Sequence, residues 1–193
     1  MRPPDFEHEI YNSLNALRQS GLLFHPGISS WGLSCDALNP EAVAKLLAIQ
    51  HPLVDRSVRV LMNHPKQILK HIPNPPPDLT EFLNALDFSP IILFPEAVGL
   101  PDEVRNEQGN IAICLSSNSL CKSIIQRLKS PLLYRSVNQD VANLTEKVAA
   151  DLPFLSEIDY QVYWPNWVAE KKTGAYQMLK NGQLETIEGL AFV

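Results

Sequence analysis

Three short apolar runs, SPIILFP, NIAICL and PLLYRSV, fall between residues 89 and 137, and one helical stretch, NSLCKSIIQRL, separates the last two. Apolar runs of this length, bounded by Pro or entered through Gly, read as strands. SPIILFP is a buried or an edge strand, because its flanking prolines cannot donate to a ladder. Strands and a helix packed this closely require a sheet with helices laid on it. The rest of the chain repeats the alternation without a strict period. Phe6, Ile10, Leu14 and Leu17 follow a helical spacing after Asp5, a cap, and before Gly21, a stop. LLFH follows as a short strand. NPEAVAKLLAIQ opens with Asn39 as cap and Pro40 at the first helical position. SVRVLM alternates as a strand. HPKQILKHI and LTEFLNAL are short helices on either side of the break NPPPD. DVANLTEKVAADL is a further helix. DYQVYW is a strand, and AYQMLKNGQLETIE is a hairpin turning at Asn181 and Gly182. The fold class expected is α/β: one domain over residues 1–193, a twisted mixed sheet flanked by helices.

Charge narrows the function classes. The chain has 193 residues and a formal net charge of -5. A protein that coats nucleic acid without regard to sequence needs a surplus of Lys and Arg, which is absent here, although a local basic groove is compatible with the balance. No run of about 18 apolar residues predicts a membrane span. The N-terminal MRPPDFEHEI has no apolar centre of the secretory type. Cys35, Cys114 and Cys121 show no CxxC spacing and read as reduced, buried thiols of a cytoplasmic protein. The five histidines show no zinc spacing, so no metal site is expected.

The order of the pieces resembles the YrdC/YciO family, whose best-known members are threonylcarbamoyl-AMP synthases of tRNA modification. That family opens with a strand and P-T-D/E-T-x-Y/W-G-L-x-x-D-A, followed by a helix ending near K-x-R. Pro26, Trp31, Gly32, Leu33, Asp36 and Ala37 match that opening. DRSVRVLM, SPIILFPEAVGL, GNIAICL and PLLYRSVN resemble later family segments in the same order. The resemblance is clearest over residues 21–138. It implies a YrdC-like fold with a concave groove, and a reaction joining L-threonine, bicarbonate and ATP, with Mg2+, to give threonylcarbamoyl-AMP and pyrophosphate.

Set against the family pattern, several chemical residues differ. The opening threonine, acid and second threonine fall at Gly27, Ile28 and Ser29, and Ser30 follows. K-x-R falls at Gln50 and Pro52. A later lysine falls at Arg56, followed by Ser57. The arginine of the middle strand falls at Cys114. In the S-T-S-A-N stretch, Tyr134 and Arg135 replace Ser and Thr, while Ser136 and Asn138 stay. Charge that builds on a phosphate is met by fixed cations and dipoles. Gln hydrogen-bonds without neutralising, Pro has no side-chain donor, and Cys is a weak donor. Losing one such group commonly costs on the order of a hundredfold in rate.

The candidate nucleotide- or substrate-binding residues are therefore Ser29, Trp31, Arg56, Ser57, Arg135, Ser136 and Asn138, all by resemblance. Each has a plainer reading. Ser29 belongs to a strand–helix turn, and Trp31 is a core aromatic. Arg56 is a solvated charge or an anion contact. Arg135 is an anion donor or pairs with a carboxylate such as Asp140. Ser136 and Asn138 hold a turn. The leading expectation is a binding module that takes nucleotide, tRNA or double-stranded RNA in the groove without normal synthesis. An active synthase is the first alternative, and three Lys or Arg side chains converging on the groove would favour it. A protein-interaction role for VYWPNWV and IPNPPPDL is the second.

Overall fold

The computed structural model describes residues 5–137, 153–164, 168 and 173–187. In chain order the elements are α1 (Phe6–Arg18), β1 (Leu23–Pro26), β2 (Trp31–Asp36), α2 (Pro40–Ala48), β3 (Arg59–Met62), α3 (Pro65–His71), α4 (Leu79–Ala85), β4 (Ser89–Phe94), β5 (Ile111–Leu115), α5 (Ser119–Leu128), β6 (Leu132–Ser136), β7 (Tyr160–Gln161), β8 (Thr173–Met178) and β9 (Leu184–Thr186). The expected helix over DVANLTEKVAADL lies outside the described residues.

Local chemistry explains the boundaries. The Asp5 carboxylate accepts from His8 N and caps α1. Asn39 accepts from Glu41 N and Ala42 N at the head of α2, with Pro40 inside the first turn. The Asn118 amide oxygen caps α5, which ends at Lys129 in a left-handed conformation (φ 63°). Gly182 takes φ 83° in the β8–β9 turn, as the Asn-Gly pair predicts.

The strands form one mixed sheet in the order β7-β1-β2-β6-β3-β5-β4-β8-β9. β3 runs parallel to β5, and β4 runs parallel to β8, while β1–β2, β2–β6, β3–β6 and β4–β5 are antiparallel. SPIILFP is therefore an interior strand, paired on both sides. WGLSCD, which reads as loop in the sequence, is the strand β2. Its small and hydroxylated residues sit between β1 and β6, where Gly32 and Ser34 leave room for larger neighbours.

Side chains alternate across the sheet. Phe24, Leu33, Val60, Ile92, Ile113 and Leu133 join one core, which includes Val43 and Leu46 of α2 and Leu83 of α4. Leu23, Leu61, Ile91, Cys114, Leu132 and Tyr134 face the other way. They pack with Ile10, Leu14 and Leu17 of α1 and with Leu120, Ile124 and Ile125 of α5. Both faces of the sheet thus carry helices. DYQVYW gives only the two-residue strand β7, whose partner register covers Leu23 and Phe24.

Candidate functional site

Three segments meet at one end of the sheet: the loop after β1, the stretch before β3, and the end of β6. Backbone bonds join them. Val137 N donates to Trp31 O (2.8 Å), Asp55 N donates to Ser136 O (2.8 Å), and Val54 bridges to Val137. The opening loop closes on itself through Gly27 N donating to Ser30 O at 2.9 Å. From below, the Asn118 side chain donates to Gly27 O at 3.2 Å, which ties the loop to the head of α5.

Tyr134 fills the space under this loop. Its hydroxyl donates to Ser30 O at 2.8 Å, and the Ser30 hydroxyl lies 3.2 Å from it. A β-carbon on Gly27 would stand 2.8 Å from Tyr134 Cε2 and closer still to the hydroxyl, and one on Gly32 would meet the same ring. Burial pushes the Tyr134 phenol above its usual range. Next to the ring lies His25, fully buried. Its Nδ1 donates to Pro26 O (2.9 Å), so its Nε2 accepts from the Ser34 hydroxyl (2.6 Å). Desolvation lowers the His25 pKa to about 4, which keeps the ring neutral. Cys121 is 3.6 Å from His25 Nδ1, and burial raises its thiol to about 12. Burial of both groups disfavours a thiolate at Cys121.

The candidate residues occupy different situations. Ser29 sits half-buried near the loop tip. Trp31 is half-buried with its ring 5.1 Å from that of Phe24. Arg56 and Ser57 are exposed, and Ser57 N donates to the Asp55 carboxylate. Ser136 is buried, and its hydroxyl accepts from Arg59 Nη1 at 2.9 Å. Arg135 is 2% exposed and turns to the other face of the sheet. Its guanidinium donates to Asp55 O (2.7 Å), Leu46 O (3.0 Å) and Ile49 O (2.8 Å). It therefore closes the C-terminal end of α2, satisfying carbonyls that a helix end leaves open. Asn138 and Asp140 lie outside the described residues, as do Pro165, Asn166 and Trp167 of the aromatic cluster. Trp164 packs 5.6 Å from Phe6.

The other positions of interest are also engaged. Gln50 Nε2 donates to Leu47 O, His51 stacks edge-on against Phe154, and Cys114 donates to Pro90 O at 3.0 Å.

A cavity of about 430 Å³ opens beside these segments. Arg56, Ser57, Arg59, Arg105, Asn106 and Asn110 give its polar wall, Leu47, Leu93 and Ala112 its apolar wall, and Glu103 and Glu107 also reach it. Its volume suits a small organic ligand. Three arginines line it, with different freedom. Arg105 is held by Asp102 (3.1 Å) and Gly109 O (3.0 Å). Arg59 is buried and lies 3.5 Å from the Asp55 carboxylate, and Arg56 is exposed. Arg59 and Arg105 are not among the residues singled out in the sequence. The signal for Arg59 was there: a base inside the otherwise apolar alternation of SVRVLM. A larger concavity of about 1400 Å³ runs between residues 73–78 and the β8–β9 turn, and shares Gln108 and Asn110 with the first. Among the described residues, no three His, Cys, Asp or Glu side chains gather as metal ligands. No helix among them is long and apolar enough to cross a membrane.

Comparisons with known proteins agree with this architecture. The Sua5/YciO/YrdC family, described as "Telomere recombination", matches residues 15–162. A threonylcarbamoyl-AMP synthase of Coxiella burnetii is 28% identical over 137 residues, covering 70% of this chain and 74% of that protein. One from Pseudoalteromonas translucida is 24% identical over 160 residues, covering 81% and 86%. Among solved structures, E. coli YciO superposes with a TM-score of 0.72 at 13% identity, over 95% of this chain and 89% of its own. P. abyssi Sua5 complexed with L-threonine gives 0.69 at 15% identity, over 89% of this chain, which spans about half of Sua5 (51%). With the family matched over most of its length and the fold shared, the chain belongs to the Sua5/YciO/YrdC family.

Proposed function

We propose that this protein is a YrdC-type binding module that takes an anionic, nucleotide-like ligand in the cavity beside β3 and does not make threonylcarbamoyl-AMP. The observation that carries the reading is Tyr134. Its ring lies beneath the loop that the family resemblance assigns to substrate, and its hydroxyl is bonded to Ser30. Three further positions support it. Gln50, Pro52 and Cys114 stand where the resemblance puts bases, and two of them are engaged with backbone carbonyls. A transition state with charge building on phosphate would then lack the preorganised cations that stabilise it.

Binding is a smaller demand than catalysis. Arg56, Arg59 and Arg105 set three guanidinium groups beside Glu103 and Glu107 in the cavity lining, and Leu47, Leu93 and Ala112 give it an apolar side. That combination suits a molecule with a phosphate end and a flat, weakly polar body. The same three arginines favour a second reading, an active synthase with relocated cations, which the names of the curated relatives also support.

Calorimetric titration with Mg-ATP, with and without L-threonine and bicarbonate, separates the two when pyrophosphate is followed in the same samples. Heat without pyrophosphate is the expected result. Heat with pyrophosphate release dependent on threonine establishes the synthase. Absence of heat at millimolar nucleotide overturns nucleotide binding and turns the search to RNA.

A further inference from the structure

Asn110 is only 9% exposed, yet its carboxamide has no hydrogen-bonding partner among the described residues. Its backbone, by contrast, is fully used. Asn110 N donates to Asn106 Oδ1 at 2.9 Å, and Asn110 O accepts from Asn106 N at 2.8 Å. The turn between them is fixed as well. Gly109 takes φ 80°, its N donates to Asn106 O at 2.8 Å, and its O accepts from Arg105 Nη1 at 3.0 Å. The residue is therefore held in place while its side chain is left to the space in front of it. That space is the junction of the two cavities, both of which Asn110 lines. Buried amides in native proteins are hydrogen-bonded as a rule, and one left open at a cavity wall is satisfied by what enters the cavity. The surroundings narrow what that is. Asn110 lies two residues before Ala112 and shares its face of the sheet, and Ala112 pairs with Leu93, so an uncharged apolar surface adjoins it. Glu103 and Glu107 also line the smaller cavity and oppose a ligand that is anionic throughout. A carboxamide offers one acceptor oxygen beside N–H donors, which complements a flat heterocycle carrying an amine next to a ring nitrogen.

We infer that Asn110 reads the base of a nucleotide in this cavity: its Oδ1 accepts from the exocyclic amine and its Nδ2 donates to the adjacent ring nitrogen, which selects an adenine-type edge. The inference rests on the groove reading above and adds the residue and the chemical feature that choose the base. The fixed turn lets the contact form without reordering the backbone, so little of the binding energy is lost to ordering.

The test is calorimetric titration of the full chain with ATP, purine riboside triphosphate and inorganic tripolyphosphate, all with Mg2+. It is run on the wild type, Asn110→Ala and Asn110→Leu, with melting temperatures measured for each. The purine compound lacks the exocyclic amine and is otherwise the same as ATP. The wild type is expected to prefer ATP over it about tenfold, the worth of one hydrogen bond. In Asn110→Ala that preference should vanish, with ATP weakened about tenfold and tripolyphosphate unchanged. Asn110→Leu keeps the shape without the hydrogen bonds and should behave alike, which covers a loosening of the turn in the alanine variant. A wild type that binds the two triphosphates equally overturns the inference and leaves the groove reading standing. So does either variant that keeps the preference. Equal loss of ATP and tripolyphosphate also overturns it, because Asn110 would then only hold the shape of the cavity. Failure of the wild type to bind ATP is seen before any variant and overturns the groove reading together with this one.

Discussion

Gly27 and Tyr134 share one volume: the tyrosine ring lies where a side chain at position 27 would have to go, and its hydroxyl closes the loop by bonding to Ser30 O. The resemblance puts a threonine at the first position and a serine at the second. The chain has a small residue in the loop and a large one beneath it, and the ring takes the space that a side chain at position 27 would need.

That exchange predicts a dependence between the two sites. Gly27→Thr is expected to destabilise by about 2 kcal/mol or more, through overpacking against the ring. In a Tyr134→Ser background the same change should cost less, by a coupling of about 1–3 kcal/mol. Urea denaturation of the four members of the cycle measures this. Additive losses would show that the two positions do not share space.

Arg135 gives a prediction about stability rather than binding. Its guanidinium holds three backbone carbonyls, two of them at the end of α2. Arg135→Met leaves those acceptors inside the protein without their donor and is expected to cost about 3 kcal/mol. Arg135→Lys should recover only part, since an ammonium cannot span the three oxygens as the planar fork does. Chemical denaturation of both variants is the check, and a loss of less than about 1 kcal/mol in Arg135→Met would contradict this role.

His25 sets a pH dependence with a definite sign. Burial lowers its pKa to about 4, whereas the unfolded imidazole titrates near 6.5. Between those values the unfolded chain takes up a proton that the folded one refuses, so stability falls as pH drops from about 6.5 towards about 4. Above the unfolded value the full contribution is present. The loss attributable to this group is about 3 kcal/mol. Denaturation midpoints at pH 7.5 and pH 4.5, compared between wild type and His25→Gln, isolate it. Equal slopes in the two proteins would assign the acid sensitivity elsewhere.

The thiols are expected to be silent. Cys35, Cys114 and Cys121 are all fully buried, and desolvation raises the thiol pKa of Cys35 and Cys121. None should react with Ellman's reagent in the native protein at pH 8 within minutes, and all three should react in guanidinium. A fast native fraction would mean that a helix opens from the sheet: α5 for Cys114 or Cys121, or the opposite layer for Cys35.

Caps and turns were legible in the sequence because they act through neighbours. Asp5, Asn39 and Asn118 bond to amides two or three residues on, and Asn181 with Gly182 turns a hairpin. The sheet class followed from the same local signals. β2 did not read as a strand, since Gly32, Ser34 and Cys35 have little intrinsic strand preference and owe their conformation to β1 and β6. The site was harder still. Ser136 reads as a ligand contact in one dimension, but its hydroxyl is taken by Arg59, seventy-seven residues away. Arg135 reads as a groove cation until strand alternation turns it to the opposite face, onto the end of α2. Those outcomes depend on register between strands that sequence spacing alone does not set.

A groove that keeps a ligand but has lost the synthesis binds ATP without releasing pyrophosphate, and that release is measurable. Purified protein is incubated with ATP, Mg2+, L-threonine and bicarbonate, and pyrophosphate is followed by a coupled assay beside a known synthase. The expected result is no threonine-dependent release above the protein-free rate, with ATP still bound by calorimetry. Threonine-dependent release at a rate near that of the synthase would contradict it, and would mean that Arg56, Arg59 and Arg105 carry the charge that the replaced residues were expected to carry.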